Sequence, residues 1–540
     1  MAPVLAIAAC AALVLALIPL LDGVPLLGFT ADDAYISFRY SEHLADGIGP
    51  VWNATGPRTD GYTSPLWMAV IALARVLGAG PEAASKAISL AAVLGALSVL
   101  AFAGGRRAPW VRVVAMAFLA LSPAFVAITV QGFETATAGF LAMCTALLLL
   151  AALRTPGRRE VLGLAVVGLL ATFARPDLLP FVLCCFAGLG VWLLRERDLR
   201  AVRRPALWVA AGFGVPAVVW AAWRWSYYGY PLPNTSYVKR SPGLVNDESL
   251  RLIEEFLTRV AGPAVLGLAV LLTRAFDRRA ERRDPPLTWG VCTVLVGAAG
   301  FLAVGLKFEP IQGDLWRFQM PILPALLLCV VLLASRDDGA HSLGLRGGRW
   351  ARAAALGVAL LLVAFPLTTL REVRAQLRGR PVYDRKQAGL ALAPFRRNGL
   401  TMFVSESGVL PWASDWRAYD LIGLNDHDIA VHGATLPRVL ARRPDLIQFV
   451  VGTEPSDRFA GFYHPFSDLV RSGRFEFAAA IVKTNRELRP GSPAQAHLYF
   501  VRRDAPRARA IVATLRGLRH VRRLAPEITT RALRGFGYPG

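Results

Sequence analysis

Two adjacent carboxylates, Asp32 and Asp33, stand where an apolar stretch gives way to polar chain. Residues 3–21 are almost wholly apolar and long enough to cross a bilayer, for which ~20 residues suffice. Charge at the edge of such a segment is costly and commonly functional. Ionised side by side, the two carboxylates repel, which raises the proton affinity of one and suits it to accept a proton near neutral pH. Capping of the helical pattern that follows is the plainer use, since Asp serves well at an N-cap. One Asp suffices for that, so the pair points to a membrane enzyme acting on a substrate delivered in the lipid.

Other polar motifs interrupt the apolar chain. The first loop closes on Asp60-Gly61-Tyr62-Thr63-Ser64-Pro65-Leu66-Trp67, and carboxylates beside aromatic rings suit a sugar. Glu134, in Gln131-Gly132-Phe133-Glu134-Thr135, falls at a helix start, where favourable interaction with the helix dipole is a sufficient alternative. Arg175 and Asp177 follow a span of only about 14 residues, or ~21 Å, shorter than the ~30 Å hydrocarbon core. They should therefore lie below the lipid surface, beside protein or water, or paired with each other. Asn234, Tyr237 and Lys239 lie in Pro233-Asn234-Thr235-Ser236-Tyr237-Val238-Lys239-Arg240, which reads either as a phosphate clamp or as interfacial anchoring. Gln312-Gly313-Asp314-Leu315-Trp316-Arg317-Phe318 adds another Asp and Arg. Cations there would stabilise the charge developing on a phosphate leaving group.

The elements that position these residues are membrane helices. The chain of 540 residues is 54% hydrophobic with mean hydropathy +0.43, which excludes an ordinary soluble globular protein. Its net charge of +22 comes almost wholly from arginine. Many of these arginines sit in short loops between apolar spans, so topology explains them better than nucleic-acid binding does. The cysteines lie inside apolar spans, where disulfides and metal sites are not expected. The spacing predicts about eleven spans, at 3–21, 84–103, 112–130, 134–153, 161–174, 177–194, 206–223, 260–273, 287–305, 318–334 and 351–368. The first is read as an uncleaved anchor and the segment 65–78 as interfacial. With the N-terminus inside, Arg106-Arg107, Arg158-Arg159, Arg203-Arg204, Arg278-Arg279 and Arg282-Arg283 fall on the cytoplasmic side. Every polar motif above then falls outside, as a single active site requires. A carrier would instead place polar residues near mid-membrane.

The expected fold class is thus a polytopic α-helical membrane protein with a C-terminal extracytoplasmic α/β domain. Its parts are a catalytic membrane domain over 1–369, including a first external loop over 22–83, and a soluble domain over 370–540. In the soluble domain 401–404, 446–451 and 497–501 read as strands. The basic stretch from Arg502 to Arg534 reads as a solvated helix or as a contact with anionic headgroups or an anionic wall polymer.

The combination of motifs resembles the GT-C glycosyltransferases, and within them the terminal β-(1→2)-arabinofuranosyltransferase (AftB) type of actinobacterial cell walls. The matching residues are Asp32-Asp33-Ala34-Tyr35-Ile36 with Arg39-Tyr40, Gly61-Tyr62-Thr63-Ser64-Pro65-Leu66-Trp67, and Gly132-Phe133-Glu134-Thr135-Ala136. They continue with Arg175-Pro176-Asp177, Pro233-Asn234-Thr235, Gly313-Asp314 with Arg317, and Asp420-Leu421-Ile422-Gly423-Leu424-Asn425-Asp426. The resemblance implies inverting transfer of a sugar such as arabinofuranose from decaprenyl phosphate, or a similar polyprenyl phosphate, to a cell-wall polysaccharide or lipid-linked glycan outside the plasma membrane. It implies Asp32 as base, with Asp33 the next candidate. Lys239, Arg317 and Arg175 would hold the donor phosphate, Asp177 and Asp314 would orient the sugar, and Asn234 and Tyr237 belong to the same donor site. Arg39, Tyr62, Thr63, Trp67 and Glu134 would line the acceptor groove. No cofactor is required, although some relatives bind a divalent metal such as Mg2+ or Ca2+. The partners are lipids and glycans rather than nucleic acid. A lipid-linked-sugar flippase and a mannosyl-type GT-C transferase are the alternatives.

Overall fold

The computed structural model describes residues 2–21, 29–104, 109–196, 198–240, 243, 245–276, 284–310, 314–335, 349–378, 383–452, 464–484, 495–519, 521–523, 525–535 and 538. The arginine runs at 106–107, 278–279 and 282–283, and the dipeptide Gln312-Gly313, fall outside these residues.

Among the described residues, six helices are long and apolar enough to cross a membrane: Pro81–Phe102, Thr135–Arg154, Pro176–Glu196, Leu199–Tyr228, Pro285–Gly305 and Asp314–Ala334. Two bent pairs raise the count to eight if each is one span, Pro109–Ala120 with Pro123–Thr129 (61°) and Asp247–Val260 with Gly262–Thr273 (74°). The expected eleven spans are not reached by this measure. Pro123 and Gly262 stand at the bends, while Arg158–Ala174 and Arg349–Ala364 have 17 and 16 residues, at or just below the short end of the spanning range. Helix starts follow local chemistry. Pro65, Pro81, Pro123 and Pro285 occupy first-turn positions, where a missing N–H costs nothing. Ser64 caps its helix by accepting the Trp67 N–H at 3.2 Å.

Three helices frame the first loop: α1 (Ala2–Leu20), α2 (Ala34–Ala45) and α3 (Pro65–Val76). Asp33 is the N-cap of α2, yet its side chain makes no capping hydrogen bond. Its carboxylate is therefore not used in the way capping alone would require.

Beyond the membrane helices the described residues form a five-stranded sheet of order β2-β1-β3-β5-β4. The strands are β1 (Thr401–Val404), β2 (Arg417–Asp420), β3 (Leu446–Gly452), β4 (Phe475–Thr484) and β5 (Gln495–Arg502). β1 runs parallel to β2 and β3, while β5 runs antiparallel to β3 and β4. The runs expected at 401–404, 446–451 and 497–501 lie in β1, β3 and β5. Side chains alternate between two cores. Phe403, Leu498 and Phe500 face one. Met402, Val404, Tyr499 and Val501 face another that continues into the first loop through Ile36, Tyr40, Trp52 and Tyr62. The sheet domain is thereby seated on the first loop. Helix Leu370–Arg378 lies on the membrane side of this junction. Its Val373 belongs to the membrane core, and its Gln376 side chain accepts the Leu315 N–H at 3.3 Å.

Two glycines allow the seating. A Cβ on Gly61 would meet Asn425 Oδ1 at 2.0 Å and the Leu424 carbonyl at 2.6 Å. One on Gly408 would meet the Asp32 carbonyl at 2.1 Å. Gly61→Ala and Gly408→Ala should each destabilise the detergent-solubilised protein by about 1–3 kcal/mol, the range for overpacking. Thermal unfolding reads this directly, and an unshifted transition for both would show that the junction is loose.

Candidate active site

A cavity of about 310 Å³ opens between the membrane helices and the sheet domain. Its wall carries the acids Asp33, Glu134, Asp177 and Glu309 and the cations Arg175, Lys239 and Arg317, with Tyr62, Thr63, Phe133, Phe318 and Leu424 among the rest. Six separate places in the sequence thus contribute charge to one space.

The cations differ in how they are engaged. Arg175 is engaged at all three nitrogens: its Nε and Nη2 donate to Asp177 Oδ1 and Oδ2 at 3.1 and 2.5 Å, and its Nη1 to Glu134 Oε1 at 3.3 Å. The mutual pairing anticipated for Arg175 and Asp177 is present, with Glu134 as a third member. Arg317 is not saturated. Its guanidinium lies 3.6 Å from the Phe133 ring centroid, and its Nη1 stands 4.0 Å from Asp33 Oδ2. Its Nε and Nη1 are buried with no hydrogen-bond partner. A buried guanidinium with open N–H groups is ready to receive acceptor oxygens, and phosphate fits its fork. Leu315 and Trp316, immediately before it, both have φ of +57°. Non-glycine residues seldom adopt that conformation, which costs of order 1–3 kcal/mol each. The reversal they impose brings Arg317 under Phe133. Lys239 lies 5.8 Å from the Phe318 ring on the same wall. Burial lowers its ammonium below the ordinary value against the pull of Asp33, and Arg317 and Arg175 lower it further.

Consecutive in sequence, Asp32 and Asp33 diverge in space. Asp33 lines the cavity. Asp32 is 5% exposed and does not line it. Its Oδ1 accepts the Val409 N–H at 2.9 Å and lies 3.1 Å from Arg385 Nη1, both from the sheet domain. Burial raises its carboxyl above the usual carboxylate range against the pull of Arg385.

Of the residues singled out from sequence, Asp33, Glu134, Arg175, Asp177, Lys239, Arg317, Tyr62 and Thr63 come together on the wall. The others lie behind it. Arg39 donates to the carbonyls of Trp52, Pro411 and Trp416 at 2.7, 2.5 and 2.8 Å, clamping α2 to the sheet domain rather than facing a groove. Trp67 is buried, its indole N–H on the Gly132 carbonyl at 3.2 Å. Asn234 Oδ1 lies 2.9 Å from His427 Nδ1, and Tyr237 meets the same imidazole edge-on at 5.4 Å. Asp314 opens the turn before Arg317 and is absent from the wall.

Sequence reasoning missed Arg224 and Glu309, and it quoted Leu424 only as part of the Asp420–Asp426 motif. Arg224 pairs with buried Asp60, and an arginine between two tryptophans in an apolar helix was the available signal. Leu424 reaches the cavity because the Asp420–Asp426 turn is wound tightly. The Asp420 carboxylate accepts the N–H groups of Ile422 and Asn425 at 2.9 and 3.1 Å, and Gly423 takes φ of +90°. Glu309 gave no signal beyond its charge.

The contrast between the two arginines sets an expectation. Arg317→Met should weaken binding of a phosphate-bearing lipid by ~10–100-fold, a loss of about 1.5–3 kcal/mol for a charged hydrogen bond, and leave the melting temperature nearly unchanged. Arg175→Met should act on stability instead, because it strands two carboxylates in a buried site. Lipid titration and thermal unfolding of both variants separate the roles, and the reverse assignment would contradict this reading.

A family profile described as a domain of unknown function, DUF8728, matches residues 371–498. No curated protein matches the chain. Solved structures do. ArnT from Cupriavidus metallidurans bound to undecaprenyl phosphate is similar with TM-score 0.53 at 14% identity, over 96% of this chain and 99% of that one. The arabinofuranosyltransferase AftD from Mycobacteria is similar with TM-score 0.51 at 16% identity, over 92% of this chain but 39% of AftD. The archaeal oligosaccharyltransferase AglB from Archaeoglobus fulgidus, in complex with an inhibitory peptide and a dolichol-phosphate, gives TM-score 0.52 at 11% identity, over 99% of this chain and 77% of AglB. The chain therefore has the GT-C glycosyltransferase fold.

Proposed function

We propose that this protein is a membrane glycosyltransferase that moves a sugar, arabinofuranose in the first instance, from a polyprenyl-phosphate donor to a glycan acceptor on the outer face of the plasma membrane. The observation that carries the reading is Arg317, whose buried guanidinium keeps two unmet N–H positions on the same wall as Asp33 and Lys239. Neighbours of the same fold hold undecaprenyl phosphate and dolichol-phosphate. The arabinose assignment draws on the motif resemblance and on the arabinofuranosyltransferase among the similar structures.

In this reading Arg317 and Lys239 bind the donor phosphate, and Asp177, held by Arg175, orients the sugar. Asp33 takes the proton of the acceptor hydroxyl as its oxygen attacks the anomeric carbon. The bond from that carbon to the phosphate oxygen breaks with inversion, and the polyprenyl phosphate leaves with its negative charge held by the two cations. Asp33 replaces Asp32 as the base, because Asp32 is tied to Arg385 and Val409 away from the cavity. Tyr62 and Thr63 form the acceptor side. A glycosyl phosphate already carries a good leaving group, its phosphate, so no general acid is needed, and no step is assigned to Mg2+ or Ca2+. The positive-charge bias of the loops supports a cavity and a sheet domain outside the cytoplasm.

Asp33→Asn should lower transfer of labelled sugar by ~10²–10⁴-fold, the usual worth of a positioned base, while donor lipid still binds. Transfer should also persist in a chelator. Undiminished transfer by Asp33→Asn would remove it as base. Labelled sugar that crosses the membrane but stays on its lipid would favour a flippase instead, against the gathering of charged residues beside the sheet domain.

A further inference from the structure

One helix of the sheet domain, Tyr383–Leu392, presents consecutive cations to two carboxylates of the membrane domain. Arg385 meets Asp32 at 3.1 Å, and Lys386 Nζ lies 2.7 and 2.8 Å from the two oxygens of Glu82. Arg385 also pairs with Glu406, whose Oε2 lies 2.6 Å from His497 Nε2. These groups sit deep in the junction: Asp32 is 5%, Arg385 6% and His497 0% exposed. Asp32 further accepts the Val409 N–H, and Arg385 and Val409 both belong to the sheet domain. Asp32 is covalently next to Asp33, and Asp33 is the N-cap of α2. Whatever fixes Asp32 therefore fixes the direction in which Asp33 leaves the chain.

We infer that Arg385, braced by Glu406, is a positioning residue for glycosyl transfer: it neutralises Asp32 and locks the start of α2, so that Asp33 is held facing the cavity. This rests on Asp33 being the base. The physical argument is one of charge and geometry. An unpaired buried carboxylate beside Asp33 would compete for the same proton and repel its neighbour. Removing one member of a buried ion pair forces local rearrangement, whereas removing both leaves a neutral contact of similar shape. A displacement of about 1 Å at a reacting group can cost ~10²-fold in rate. The sheet domain thereby acts on the chemistry without touching the substrate at Arg385.

The test is a double-mutant cycle on the full-length, detergent-purified protein, with a defined polyprenyl-phosphate sugar as donor. Arg385→Gln and Asp32→Asn should each lower kcat by ~10–100-fold with donor KM within about threefold, the signature of lost positioning rather than lost binding. The pair Asp32→Asn/Arg385→Gln should recover at least ~10-fold over either single variant, because the two losses are one interaction. Wild-type kcat in Arg385→Gln, or a double variant no better than Asp32→Asn, overturns the inference. The latter is also the result expected if Asp32 were itself the base. Should Arg385→Gln fail to fold, Glu406→Gln is read on the same split: a lower kcat at constant donor KM supports the brace, and an unchanged kcat overturns it. Asp33→Asn separates the two layers. Retained transfer in that variant overturns the base assignment, whereas its inactivity alongside a strictly additive cycle overturns the role of Arg385 alone.

Discussion

A carboxylate or guanidinium withdrawn from water costs several kcal/mol unless an opposite charge and hydrogen bonds meet it. That constraint organises the site. Asp32 is met by Arg385 and the Val409 N–H, Arg175 by Glu134 and Asp177, and Asp60 by Arg224. Each set joins segments far apart in sequence, so satisfying the charges also fixes where the first loop, the membrane helices and the sheet domain lie. Arg317 departs from the pattern. Its Nε and Nη1 stay unmet on the cavity wall, where a ligand would supply oxygens. Arg175 and Arg317 are thus the same residue type with opposite uses, one building the wall and one left open within it.

The sheet domain is part of the cavity's architecture rather than an appendage. Its inner face shares a core with the first loop, and its Asp420–Asp426 turn brings Leu424 to the cavity wall. Asn425 Oδ1 lies 3.3 Å from the Tyr40 hydroxyl, which in turn accepts the Gly61 N–H at 2.9 Å. The close approach at Gly61 and Gly408 explains why side chains at those points would be excluded. Similarity to ArnT and AglB extends over nearly the whole chain, so both the membrane helices and the sheet domain belong to the shared fold.

Much of this was legible in the residues. Apolar segments announced membrane helices, prolines marked their starts, and polar interruptions marked the wall, because each of these signals is local. The strands at 401–404, 446–451 and 497–501 were legible for the same reason. β2 was not: of Arg417–Asp420 only Ala418 and Asp420 are buried, and the strand exists through its pairing with β1. The bends of 61° and 74° within two of the spans were not legible, because a stretch of apolar residues does not reveal where it breaks.

The sequence alone determined that charge would gather around an acidic pair at the end of a membrane segment, since composition and spacing suffice for that. Which member of the pair faces the cavity was decided by tertiary structure. Asp32 and Asp33 are chemically identical neighbours, and only the arrival of Arg385, several hundred residues later, distinguishes them. An arginine in a soluble-looking helix carries no mark of its partner. The distinction lies in a contact made across the junction, and such contacts have no signature in either segment by itself.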